Sequence, residues 1–127
     1  MQVSKKMLAL AGVAVVAMAA APAFAHHSFA MFDNQKNVTL DGTVKEFQWT
    51  NPHSWIQLVV KDSSGKEVEW SIEGGSPNGL SRSGWKRTSL KPGDKAVAII
   101  HPLKDGTNGG SLVSVSVNGV KIGGARS

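Results

Sequence analysis

The sequence predicts an all-β fold: a small OB-like barrel of five strands with a short helical connection between the third and fourth. Three observations predict it. Short β-rich runs recur at roughly 8–12-residue spacing, each closed by turn residues. One interval, residues 74–92, loses the alternation and opens on Ser76-Pro77, an N-cap followed by proline at the first helical position. The succession of three strands, a helical connection and two strands is that of an OB barrel. A small β-sandwich is the alternative, because strand count and spacing leave closure open, and the pairing of the last strand decides between them.

The first strand, residues 38–49, puts Val38, Leu40 and Val44 on one face and then shifts parity to Phe47 and Trp49, which predicts a bulge or bend between them. Gly42 lies where a curved strand lets another backbone approach. In the second strand, residues 54–61, Ile56, Leu58 and Val60 alternate against Trp55, Gln57 and Val59. Asp62-Ser63-Ser64-Gly65 then supplies a turn into a third strand, where Val68, Trp70 and Ile72 face the core and Glu67, Glu69, Ser71 and Glu73 face water. Lys91-Pro92-Gly93-Asp94 turns into residues 96–100, an apolar run suited to a strand buried on both faces and ended by His101-Pro102. A mobile glycine-rich loop is predicted over residues 105–110, after which Val113, Val115 and Val117 alternate with polar positions. Asn118-Gly119 turns the chain back into residues 120–122, and residues 123–127 form a frayed tail.

The N-terminal segment has a different character. Lys5 and Lys6 precede an apolar run over residues 7–20 and then Ala23-Phe24-Ala25, the three parts of a Sec-type signal peptide in order. The run is shorter than the ~20 residues of a membrane-spanning helix, so residues 1–25 read as a cleaved signal and the protein as periplasmic, with no membrane span after cleavage. Cleavage leaves 102 of 127 residues, an arm over 26–37 and one barrel domain over 38–122. Losing Lys5 and Lys6 lowers the formal charge from +5 to +3. The remaining charges alternate in sign without a basic, aromatic-interleaved run, which argues against a nucleic-acid partner. The chain has no cysteine, so neither a disulfide nor a thiolate metal site contributes.

The segments His26-His27-Ser28-Phe29-Ala30-Met31-Phe32-Asp33, Trp49-Thr50-Asn51-Pro52-His53, Ser76-Pro77-Asn78, Gly84-Trp85 and Lys91-Pro92-Gly93-Asp94 resemble, in combination, an uncharacterised family of small exported bacterial domains of unknown function. The resemblance covers essentially the whole mature chain. It implies export and a single β-rich domain, and no activity.

Function must therefore be argued from side chains. All four histidines, His26, His27, His53 and His101, lie in the mature part. Cleavage after Ala25 would make His26 the first residue, placing a free amine beside imidazoles, and both groups ligate metal at modest proton cost near neutral pH. Copper leads and zinc follows, since the divalent affinity order peaks at Cu(II) and imidazole suits both. Two chelates compete: a brace of the His26 amine and ring completed by His53 or His101, and a fused-ring peptide chelate through His27. The arm spans up to ~40 Å at ~3.3 Å per residue, enough to reach either rim of the barrel. Met31, the one methionine left after cleavage, either adds a soft thioether or packs with Phe29 and Phe32.

This leads to an exported copper-binding domain, with trafficking or handover to an exported or membrane-bound protein partner. The alternative is a metal-free ligand- or protein-interaction module, with Trp55 and Trp85 exposed beside Arg82 and Arg87. Enzyme readings are weaker. Glu67, Glu69 and Glu73 read as a solvated strand face rather than a catalytic carboxylate pair, and no serine sits in a nucleophile elbow. Oligomeric state is left open.

Overall fold

The computed structural model describes residues 29–123. The predicted signal peptide, His26, His27 and residues 124–127 lie outside the described residues. After a single 3-10 turn at Phe29–Met31, six strands and one helix follow: β1 (Val38–Gln48), β2 (Trp55–Lys61), β3 (Glu67–Glu73), α1 (Pro77–Arg82), β4 (Lys95–Pro102), β5 (Gly109–Val117) and β6 (Val120–Lys121). The sheet runs β3-β2-β1-β4-β5-β6, and β3 also pairs with β5. That parallel pairing, Ser71 with Gly109, Ile72 with Gly110 and Glu73 with Ser111, closes β1 to β5 into a barrel and leaves β6 outside the ring. The fold is the predicted OB-like barrel, and closure excludes the sandwich.

β1 serves both neighbours because it bends. Its first half pairs with β4, from Val38 opposite Ile100 to Thr43 opposite Lys95, and its second half pairs with β2. The register shifts between Val44 and Glu46, which is the bulge that the change of parity predicts. At Gly42 a Cβ would collide with the Val59 carbonyl, so the close approach of β1 and β2 depends on the missing side chain.

The strands contribute Leu40, Val44, Ile56, Leu58, Ile72, Ala98, Ile100, Leu112 and Val115 to one core, joined by Leu80, Trp85 and Leu90 from the connection. α1 is capped as predicted: the Ser76 hydroxyl accepts from the Gly79 amide at 3.1 Å. Two expectations need correction. β4 is buried on one face, not two: Ala96, Ala98 and Ile100 are inside while Val97 is 38% exposed, because no second layer covers the barrel there. The glycine-rich stretch is also shorter as a loop than predicted, since Gly109 and Gly110 already belong to β5, where a Cβ on Gly110 would strike the His101 carbonyl and the Ile100 side chain. The Asn118-Gly119 turn has positive φ at both residues, 50° and 84°, matching a two-residue hairpin into β6.

Candidate functional site

The registers bring four side chains into one row across four strands. Trp55 of β2 stands opposite Glu73 of β3, Glu73 beside Ser111 of β5, and Ser111 opposite His101 of β4. Paired positions share a sheet face. The adjacent residues Ile56, Ile72, Leu112 and Ile100 are buried, so by alternation Trp55, Glu73, Ser111 and His101 lie on the outer face.

The N-terminal arm crosses this outer face. The Asp33 amide donates to the Pro102 carbonyl at 2.8 Å and the Lys104 amide to the Met31 carbonyl at 3.0 Å. Phe32 bridges to Leu103 and is 5% exposed. His101 fixes the far end of the arm: its Nδ1 lies 2.9 Å from the Lys36 carbonyl, which only accepts, so Nδ1 donates. Between the arm and the β3–β5 seam lies a pocket of about 260 Å³, lined by Met31, Phe32, Trp55, Glu73, Leu103 and Thr107 among others.

His53 meets Glu73, one of the residues lining this pocket. Its backbone belongs to a continuation of the β2–β3 ladder, in which the Ser54 amide donates to Gly75 at 2.9 Å and the Gly74 amide to Ser54 at 2.8 Å. The buried Ser54 hydroxyl also donates to the Gly75 carbonyl, and the Thr50 hydroxyl to the His53 carbonyl at 2.8 Å. The His53 ring is held at both nitrogens. Nδ1 donates to the Gly74 carbonyl at 3.3 Å, and Nε2 faces Glu73 Oε1 at 3.5 Å. Donation of Nδ1 to a backbone carbonyl is the kind of second contact that orients the ring of a metal-ligating histidine, with Nε2 here facing the carboxylate.

The predicted site residues are thus distributed unevenly. His53 and Trp55 meet at Glu73. His101 stands two strands beyond Glu73 in the same row, with its Nδ1 engaged by the arm. Among the described residues no group of three histidine, aspartate or glutamate side chains converges. Trp85 is corrected: it is 2% exposed, packs on Phe47 at 5.9 Å between ring centroids and donates its indole N–H to the Gly123 carbonyl at 2.8 Å. Arg82 and Arg87 are exposed, but no tryptophan surface forms with Trp85 beside them. The solvated glutamate face is corrected in one place. Glu67 and Glu69 are exposed, Glu69 pairing with Lys45 at 2.8 Å and holding that ammonium's pKa above its ordinary value, whereas Glu73 is only 8% exposed.

Glu73 is the residue that sequence reasoning missed as a site. Its alternation with Ile72 marks it as outward, and outward reads as wet. The hairpin register, which sets it opposite Trp55, was available from the Asp62 to Gly65 turn and was the one signal pointing to it.

The segments of the chain that carry the resemblance fall within a match to the family model described as "Family of unknown function (DUF6152)", which spans residues 13–113. The chain belongs to that family. The DUF6152 match runs from before the arm to within β5, so the arm, His53, Glu73 and His101 all belong to the shared region. No curated protein and no solved structure matches the chain. Family membership therefore brings no reaction to this DUF6152 domain, and the argument rests on the site.

Proposed function

We propose that this is an exported copper-binding domain in which the processed N-terminus, His26, joins His53 to hold Cu(II), with zinc as the competing ion and a periplasmic or membrane-bound protein as the recipient of the metal. Residues 1–25 act as the cleaved signal in this reading, and the His26 amine and ring form the terminal half of the chelate. No helix among the described residues is long and apolar enough to cross a membrane.

One observation carries the reading. His53 Nε2 faces Glu73, whose side chain lines a pocket together with Met31 and Phe32 of the arm, while a backbone carbonyl holds Nδ1. His26 is three residues before Phe29 in the chain, a tether of at most ~10 Å at ~3.3 Å per residue. His53 is favoured over His101 because it meets a carboxylate that lines the pocket, while His101 fastens the arm at Lys36.

Calorimetry and electron paramagnetic resonance of Cu(II) binding test this, on protein starting at His26 and on a form with one alanine added before it. Tight one-to-one binding lost in the extended form supports the chelate. Binding indifferent to the extension overturns it, as does failure of the His26 form to bind.

A further inference from the structure

We infer that the barrel carries a preformed half-site for a divalent metal, His53 Nε2 and Glu73 Oε1, in which Glu73 is a direct carboxylate ligand. The inference deepens the copper reading and borrows from it the terminus as source of the remaining donors, but the half-site belongs to the barrel and is testable apart from the terminus.

Three features of Glu73 point to this role. First, its carboxylate is about nine-tenths covered, its side chain being 9% exposed, on a sheet face where its neighbours Glu67 and Glu69 are open. A covered carboxylate is costly without a compensating cation. Among the described residues no lysine or arginine pairs with it, and the group that meets it is the His53 ring, which is neutral or charged according to its proton. A metal ion shared with that ring supplies the positive charge whether or not the imidazole is protonated in the free protein.

Second, the spacing fits a shared ion. Two donors each ~2.0–2.2 Å from one metal at a tetrahedral angle stand about 3.4 Å apart, against the 3.5 Å between Nε2 and Oε1. Cis positions in a square plane need about 3 Å, a closure of roughly half an ångström that rotation of the carboxylate supplies. Both zinc and copper are therefore accommodated.

Third, both residues sit on paired backbone. Glu73 is the last residue of β3, paired on one side with Trp55 and on the other with Ser111, and His53 is held through Gly74, the residue that follows Glu73. The two donors thus come from the two sides of one ladder, and Met31 and Phe32 of the arm line the same pocket as Glu73.

The test is titration with Cu(II) and Zn(II) salts of the His26-started protein, the alanine-extended form, and the variants Glu73→Gln, Glu73→His and His53→Gln. Glu73→Gln keeps the shape but removes the anionic donor, and its metal-free melting temperature shows whether the fold is intact. At least a tenfold loss of affinity in Glu73→Gln, with unchanged melting, supports the half-site. Unchanged affinity overturns it and leaves the two side chains as an ion pair only. Glu73→His exchanges oxygen for nitrogen, so direct ligation predicts added nitrogen hyperfine structure in the Cu(II) spectrum, and an unaltered spectrum overturns it. The two readings separate cleanly. Loss on extension with none in Glu73→Gln sinks the carboxylate and spares the terminus, while loss in Glu73→Gln with none on extension does the reverse.

Discussion

The indole N–H of Trp85 donates to the carbonyl of Gly123 at 2.8 Å, joining the connection after α1 to the last described residue of the chain. Gly123 suits this contact because a Cβ there would run into the Ser83 carbonyl. The chain is thereby fastened to the barrel at residue 123.

Trp85→Ala is expected to lower stability by ~3–5 kcal/mol, the usual range for emptying a buried aromatic site. Trp85→Phe should recover part of the loss, because it refills volume without restoring the hydrogen bond. Urea denaturation followed by circular dichroism measures both. Metal affinity per folded molecule should not change, which separates this structural tryptophan from Trp55.

At Gly42, alanine should cost ~1–3 kcal/mol, the range for forcing atoms into a packed site, with the Val59 carbonyl having to move. The gain from lower unfolded-state entropy is smaller than this. Chemical-shift changes should be confined to β1 and β2. A variant as stable as the parent would mean that the ladder flexes more easily than its geometry implies.

The two described histidines should behave differently. His53→Ala is expected to weaken Cu(II) binding at least tenfold, since it removes a ligand in the proposed site. His101→Ala should chiefly loosen the arm by freeing the Lys36 carbonyl. Amide exchange over residues 29–37 would rise in the second variant, with a smaller effect on affinity.

Acid should act on the turns. The hydroxyl of Ser64 and nearby amides hold the Asp62 carboxyl below its ordinary 3.8, and the hydroxyl and amide of Thr107 do the same for Asp105. A carboxyl with a depressed folded-state pKa contributes stability that is fully present above 3.8 and is lost as pH falls through the lower folded value. Carbon-detected NMR titration should find both midpoints below 3.8 and the two turns loosening only under that pH. Asp62→Asn should remove the corresponding part of the acid sensitivity.

Much of the fold was legible because local chemistry and long-range pairing agree. The parity change from Val44 to Phe47 marked the bulge at which β1 passes from β4 to β2, and Ser76-Pro77 marked the start of α1. Where the sequence misled, the deciding neighbour lay far along the chain. Val97 and Ile99 are as apolar as a two-sided strand requires, yet only the packing of distant elements determines that Val97 stays exposed. Glu73 reads as solvated because the pocket it lines is completed by Met31 and Phe32, some forty residues earlier. Trp85 carries no local signal that separates a core indole from a binding one. For the site, His53 was identifiable as a donor, whereas its carboxylate neighbour required the hairpin register and the path of the arm.

The parallel contact of β3 with β5 has a kinetic consequence. It is the one parallel pairing among the described strands, held by Ser71 with Gly109, Ile72 with Gly110 and Glu73 with Ser111, whereas the β2–β3 hairpin runs unbroken from Trp55 to Lys61. The parallel seam has three residue pairs, whereas each of the other four joints of the ring has six or seven, so it is the weakest joint of the ring and the place where the barrel should breathe first. Because Met31 and Phe32 line the same pocket as both seam strands, the arm works as a latch on the weakest joint, and any ion held between arm and barrel would slow the opening of the whole cylinder.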